Sequence, residues 1–327
     1  MRTTRKSTAP AVTVLFVIAC VGLSSFSGTQ AIAQTAGTFN VAVGPQYDTA
    51  HVYVAPDDFD RFVSSVLATF GGTTSKQGVF TVTPTPSKTM SQLVFAPVGT
   101  VSVFGFKTPI PYPFGAERSG YLVTNMDAAL TAARLAGADL IVSPFNDPIG
   151  RDAIIQWPGG VNMQLYWHTT APSYKPLDTI PENRVYVSAL AADPFVHSFL
   201  IFSQGKITSD DRQAPGVEIG RPTDTYRRIR LESKFGRVTV LVTDGHLPYP
   251  YGLETTGYEV PELSNTLSKG RAAGVAVLVS TYRTPQREAA MVQFPGGYIA
   301  EIHSPISKPN ENAAASRALA PNPNERN

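Results

Sequence analysis

The chain of 327 residues has a single cysteine, Cys20. It lies in an apolar stretch near the N-terminus, so residues beyond it can form no disulfide frame, offer no thiol nucleophile and build no thiolate metal site. Also missing are G-x-S-x-G, H-E-x-x-H, a P-loop and a dinucleotide fingerprint in a strand–helix context. Charge is scarce as well, at 16% Asp, Glu, Lys and Arg with a formal net charge of +2. Such a balance leaves no basic footprint for nucleic acid. The densest basic stretch, Tyr226 to Arg237, alternates Ile229 and Leu231 with arginines and Glu232, the pattern of a strand with one solvated face.

The ends read as processing and tail segments. Arg2, Arg5 and Lys6 precede the apolar run Ala11–Leu23, which is short for a membrane span, and Ala31 and Ala33 then offer an Ala-x-Ala cleavage site. Cleavage after Ala33 implies a periplasmic or secreted protein with no membrane span after processing. Lipidation of Cys20 within "VIAC" and a retained anchor are the alternatives. Residues 306–327 are rich in Pro, Asn and Ala and are expected to be disordered.

What the chain does contain is a repeat. "PYPFGAERSGYLV" from Pro111 and "PYPYGLETTGYEV" from Pro248 share eight of thirteen residues at an offset of 137. The same shift carries Arg134, Gly137, Val142, Ser143 and Pro148 onto identical residues, and "QWPGG" onto "QFPGG". Upstream, "HVYV" at His51 answers "RVYV" at Arg184. The spacing defines a tandem duplication with domains at 48–170 and 181–305, joined by a linker at 171–180 and preceded by one at 34–47.

Each copy repeats an order of elements again. "HVYVA" starts as a strand, and the next segment puts Phe59, Phe62, Val63 and Val66 on one helical face before Gly71. The strand candidates "GVFTVTP", "SQLVFAP" and "TVSVFGF" follow. Then "GYLVT" precedes the helix "MDAALTAARLAGAD" with its stop at Gly137, and three more strands complete the copy. The unit is βαβββ, twice per copy.

These tandem units, the strand beginning "HVYV", the "GYLVTNMDAALTAARLAGADLI" segment and the last strand after "PGG" resemble the vicinal oxygen chelate superfamily. That group includes glyoxalase I, extradiol dioxygenases and bleomycin-resistance proteins. The resemblance covers roughly residues 48–305. It implies an α+β fold of two tandem domains, each a pair of βαβββ units curled into a cup-shaped mixed sheet around a small-molecule ligand. It further implies one divalent metal ion whose open positions polarise neighbouring substrate oxygens, with ligands at the start of each first strand and on the last strand.

The positions matching those ligands are His51, Arg118 or Ser119, and Gln164 in copy one, and Arg184, Thr255 or Thr256, and Glu301 in copy two. His51, Gln164 and Glu301 have ligand chemistry. Arg184 stays protonated and does not, and "TVSVFGF" has no carboxylate. Neither cup has a full set. Arg184 and Glu301 are therefore expected to face each other inside the second cup, either as an ion pair or with Arg184 gripping an anionic substrate. His246, His303 and Glu301, with Glu254, make a second constellation, either a displaced metal site or an acid/base pair. The plainer alternative is that His246 is a turn residue and His303 marks a strand end. Glu117 and Glu254 recur in both copies, as cup ligands or as acceptors for turn amides. Tyr112 and Tyr249, held between prolines, either line the cup mouths or pack the domains together. Two functions stay open: an exported glyoxalase- or dioxygenase-like enzyme, and a non-catalytic binding or sequestering protein on the same fold.

Overall fold

A computed structural model describes residues 40–306. The segments read as an export signal and as a tail lie outside them. The first half runs β1 (Thr49–Tyr53), a 3₁₀ turn (Pro56–Asp58), α1 (Phe59–Phe70), β2 (Thr73–Thr74), β3 (Gly78–Phe80), β4 (Thr89–Ala96) and β5 (Gly99–Phe106). It continues with β6 (Ser119–Leu122), α2 (Met126–Leu135), β7 (Asp139–Asn146), β8 (Gly150–Trp157) and β9 (Val161–His168). The second half repeats the plan as β10 (Glu182–Val187), α3 (Ala189–Ser203), β11 (Lys206–Pro215), a 3₁₀ turn (Gly216–Ile219), β12 (Thr225–Ser233) and β13 (Gly236–Val242). It ends with β14 (Glu254–Glu259), α4 (Leu263–Ala272), β15 (Ala276–Arg283), β16 (Arg287–Gln293) and β17 (Ile299–Pro305).

Local chemistry sets the helix ends. Asp57 and Asp58 sit at the electropositive start of α1, which stops at Gly71 with φ +78°. Asn125 caps α2 through the Ala128 amide, and the Glu262 carboxylate caps α4 through the amides of Ser264 and Asn265.

The two sheets share one strand order. The first reads β2-β4-β5-β1-β6-β9-β8-β7 with β3 beside β4, and the second reads β11-β12-β13-β10-β14-β17-β16-β15. The first strands of each unit therefore meet antiparallel in the middle (β1 with β6, β10 with β14), and each is flanked by the last strand of its own unit in parallel. This is the α+β arrangement of paired βαβββ units expected from the repeat.

Period-two alternation decides which residues reach which face. Ala50 and Val52 of β1 and Val54 just after it join Phe59, Phe62, Leu263, Leu267 and Phe294 in one core. Ala129 and Ala133 of α2 meet Trp157, Phe195, Phe199 and Phe202 in another. Each core thus contains helices from both halves, so the helix-bearing faces turn toward each other. The opposite, concave faces carry His51 and Tyr53 in one half and Arg184 and Tyr186 in the other.

Three local expectations change. "GVFTVTP" keeps only Gly78–Phe80 as strand, because Pro84 and Pro86 follow closely and cannot donate to a ladder. The polar face of β12 is only partly solvated: Glu232 is exposed, but Arg228 is buried and ion-paired to Glu218 and Asp211. Pro111–Val123 and Pro248–Val260 share the strand but not the turn. In the first, Phe114 donates to the Pro111 carbonyl and Glu117 precedes the strand; in the second, Tyr251 donates to the Tyr249 carbonyl and Glu254 opens the strand.

Candidate functional site

The concave face of the first sheet encloses a cavity of about 290 Å³. Its floor is set by register. His51 on β1 lies beside Ser102 on β5, and Gly120 on β6 lies beside Gln164 on β9. The His51 ring rests over Gly120, where an added Cβ would lie 2.4 Å from Nε2. A glycine is what leaves room for the imidazole.

His51 Nδ1 lies 3.6 Å from the Glu117 carboxylate, and both side chains are buried. The same carboxylate accepts the Tyr53 hydroxyl. Asp152 of β8 completes the polar floor; burial, reinforced by the charge of Asp147, pushes its carboxyl well above the usual range despite a hydrogen bond from Gln164. A protonated Asp152 both donates and accepts. Burial also lowers His168, which favours a neutral imidazole at the rim.

The walls are apolar. Phe104 stacks on Tyr53 at 5.2 Å and meets the His51 ring edge-on at 5.4 Å. Phe114 enters from the Pro-Tyr-Pro turn, and Tyr174 of the segment between β9 and β10 closes over the side, packed on Phe95 and Tyr47. Aromatic walls above a few convergent polar groups are the usual make-up of a small-molecule pocket.

The second concave face has the same four floor positions and a different filling. Arg184 replaces His51, Thr239 replaces Ser102, Gly257 replaces Gly120 and Glu301 replaces Gln164. Arg184 Nη1 meets Glu301 at 2.5 Å, with side chains 2% and 1% exposed. Arg287 bridges Glu301 at 2.8 Å and Glu182 at 2.9 Å. His303 lies 3.1 Å from Glu301, and Tyr282 donates to the same carboxylate. Burial alone would raise Glu301, but Arg184 and Arg287 outweigh it and hold the carboxyl well below its ordinary value. Glu182 is likewise lowered to about 2, the two arginines overcoming burial. Over this network pack Tyr186, Tyr226, Tyr251, Met291 and Ile219 of the second 3₁₀ turn. Glu218 of that turn enters too, accepting from Tyr226 and Arg228.

The residues expected to form a site therefore divide. His51 and Gln164 share the first floor with Glu117 behind His51. Glu301 sits on the other sheet, so His51, Gln164 and Glu301 do not form one metal set. Arg184 faces Glu301 inside the second cup as expected, and His303 joins them, but as a buried salt-bridge network. His246 is not part of it: its side chain is 90% exposed in a loop beside Asp244. Glu254 turns away from the cup to accept the Ser119 hydroxyl and the Arg118 amide across the seam between the halves. Tyr112 is 74% exposed, and it is Phe114, two residues on and lacking a hydroxyl to satisfy, that enters the first cup. Tyr249 donates to the Leu278 carbonyl at the edge of the second cup. Among the described residues, no three His, Cys, Asp or Glu side chains converge as metal ligands.

Asp152, Ser102 and Tyr174 were missed by sequence reasoning. The first two alternate with core residues on their strands, a period-two signal that could have placed them on the cup face. Nothing local marks Tyr174.

No family model and no curated protein matches the chain. Solved structures do. A variant of 4-hydroxymandelate synthase from Streptomyces coelicolor is similar with a TM-score of 0.55 and 12% identity, over 83% of this chain and 96% of that one. A xylose isomerase-like TIM barrel/4-hydroxyphenylpyruvate dioxygenase fusion protein follows at 0.52 and 13%, over 86% of this chain and 53% of that longer one. The Mn(II)-bound glyoxalase from Novosphingobium aromaticivorans gives 0.50 and 13%, over 81% and 83%. The class these likenesses define is one of fold. The chain has the tandem vicinal oxygen chelate fold.

Proposed function

We propose that this chain is an exported small-molecule-binding protein that captures its ligand in the first cup alone. The observation that carries this reading is the asymmetry of two matched floors: one is open beneath aromatic walls, the other is cross-linked by Arg184, Arg287, Glu182 and Glu301. The ligand chemistry follows from the lining. An apolar or aromatic body fits among Phe104, Phe114 and Tyr174, and a hydroxyl or amide end meets Asp152, Gln164 and His51. Export rests on the basic and apolar N-terminal segment, and N-terminal sequencing of the mature protein tests it: Gln34 at the start supports cleavage, a lipid-blocked Cys20 the lipoprotein alternative.

A divalent ion, as in the similar Mn(II)-bound glyoxalase, would draw on His51 and Gln164 with Asp152 as the one carboxylate on the floor. Yet no three acidic or histidine side chains converge there among the described residues. Ser102 and Gly120 hold the other two floor positions, one a weak ligand and the other none. The donor set does not fit a resident metal. Metal analysis of protein purified without a His tag tests this. One tightly held ion per chain overturns the metal-free reading, and none after incubation with manganese, zinc and iron supports it.

A second reading, a lyase- or isomerase-like enzyme, has one observation in its favour. His51 is backed by a buried carboxylate at 3.6 Å, with its ring at the cavity floor. The gap exceeds a hydrogen bond and Nδ1 has no other partner among the described residues, so a small closure would let the carboxylate orient the imidazole for proton transfer. Turnover of a ligand found by thermal-shift screening separates the readings: a ligand recovered unchanged after long incubation supports capture, and a product that disappears with His51→Gln supports the enzyme.

A further inference from the structure

A second cavity, about 120 Å³, lies at the seam between the halves. Val52, Tyr53 and Arg118 of the first half line it, with Glu254, Tyr298 and the Gly296–Gly297 turn of the second. The halves approach closely here: a Cβ on Gly296 would lie 2.7 Å from Val54. The volume is that of about four waters in the liquid, enough for an ion of a few heavy atoms.

Arg118 is the one cation lining this cavity. Its guanidinium lies 5.8 Å from the Tyr53 ring centroid, and its Nη1 is buried without a hydrogen-bond partner among the described residues. No carboxylate forms an ion pair with it there. The nearby Glu254 accepts from the Arg118 backbone amide at 3.1 Å and from the Ser119 hydroxyl. A buried donor of a cationic group left unmatched is costly, and a small polar cavity at its side is where a counter-ion would sit.

We infer that the seam cavity is a binding site for a small monoanion of carboxylate size, gripped by the Arg118 guanidinium and separate from the ligand cup. Six groups set its charge, among them Tyr251, whose buried hydroxyl lines the cavity and whose pKa burial raises, so it stays neutral. Arg118 is the cation, Tyr53 and Tyr298 are neutral hydroxyls at the wall, and Glu117 lies behind Tyr53. Glu254 is the switch, raised to about 7 by burial, which outweighs the Ser119 and Arg118 hydrogen bonds. When Glu254 is ionised it competes with the anion for the field of Arg118. When it is neutral the anion has that field to itself. Tyr53 lines both this cavity and the ligand cup, whereas Arg118 and Glu254 do not line the cup, and the test uses no cup ligand.

Acetate is the probe, titrated calorimetrically into the full folded chain at pH 6 and pH 8. Binding that requires neutral Glu254 should be about tenfold tighter at pH 6, given a carboxyl titrating near 7. Glu254→Gln should bind at pH 8 as tightly as the wild type does at pH 6, and Arg118→Gln should lose binding at both. In crystals soaked in bromide, an anomalous peak should lie within hydrogen-bonding reach of Arg118. Undiminished binding by folded Arg118→Gln, no binding by the wild type, or bromide peaks only elsewhere would overturn the site. Should Arg118→Gln not fold, Glu254→Gln decides it, since a retained tenfold pH ratio there excludes the mechanism.

Discussion

Arg184 and Glu301 sit on either side of Gly257 and close to 2.5 Å, at the two positions that His51 and Gln164 hold on either side of Gly120. One floor plan thus has two chemistries. Where the flanking groups are an imidazole and an amide, the cup stays open for a ligand. Where they carry opposite full charges, they neutralise each other, and Arg287 and Glu182 extend the pairing. A ligand could enter the second cup only by breaking bonds between buried charges, which is expensive in a low-dielectric interior.

Stability and binding should therefore separate between the halves. Glu301→Gln leaves Arg184 and Arg287 short of a buried anion and is expected to cost about 3–5 kcal/mol, read as a lower denaturant midpoint. Gln164→Ala removes a ligand contact and the hydrogen bond to buried Asp152, and should cost about 1–2 kcal/mol of stability while weakening ligand capture about tenfold. The charge of Glu301, which only it of the two carries, would by itself make it the more important of the two for binding. The network reverses that order, and equal midpoints for the two variants would contradict it.

Gly120→Ala tests the floor itself. The new methyl would lie 2.4 Å from His51 Nε2, so the ring must leave its place, at a cost of about 1–3 kcal/mol. The His51 imidazole resonances should move and ligand capture should fail. The matching change in the second half, Gly257→Ala, meets Arg184 Cδ at 3.4 Å and should leave capture intact. Unchanged capture by Gly120→Ala would show that His51 does not contribute to the site.

Much of the architecture was legible because it rests on local, repeated signals. Period-two strands, a helical stripe at Phe59, Phe62, Val63 and Val66, and an ungapped offset of 137 fix βαβββ units without tertiary information. The Arg184–Glu301 pairing was legible too, since both residues fall at inward positions of equivalent strands. What escaped was set by contacts distant in sequence. Arg287 and Glu182 are 105 residues apart, and Glu218 reaches Arg228 only because a 3₁₀ turn folds into the cup. Glu117 and Glu254 occupy matched positions, yet one backs His51 and the other crosses the seam, because the turns before them differ. A repeat in sequence specifies the strand; the neighbouring half decides what its side chain meets.

The linker contributes one wall of the open cup, which gives a kinetic prediction. Tyr174 lines the cavity and packs on Phe95 at 5.0 Å and Tyr47 at 5.6 Å. Tyr174→Ala removes that wall without touching the floor. Ligand dissociation measured by stopped flow should speed up about tenfold or more, with association little changed. An unaltered off-rate would place the ligand away from the linker.

The last prediction concerns pH, where two sets of carboxyls pull stability in opposite directions. Glu182, lowered to about 2, and Glu301, also well below its ordinary value, favour the folded state when ionised. Their contribution is present above the unfolded value of about 4.3 and is lost as pH falls toward about 2. Glu254, raised to about 7, and Asp152, raised by burial, favour the folded state when protonated. Their contribution is present below about 4 and is lost as pH rises through their folded values. His303 acts in the same sense on the alkaline side: burial lowers its pKa, but Glu259 and Glu301 more than offset this and raise it, so its stabilisation is lost as pH rises above the ordinary histidine value. The melting temperature should therefore peak between about pH 4.5 and 6, drop steeply below pH 4 as the second-cup network is protonated, and decline gradually toward pH 8. Glu254→Gln keeps the shape of the carboxyl without its charge, so it should stabilise the protein at pH 8 by about 1–3 kcal/mol and do nothing at pH 4. Glu301→Gln should instead flatten the acid limb. A melting profile with no alkaline decline, or a Glu254→Gln variant no more stable than the wild type at pH 8, would mean that Glu254 reaches a compensating charge in solution and is not the buried, protonatable group that the seam geometry makes it.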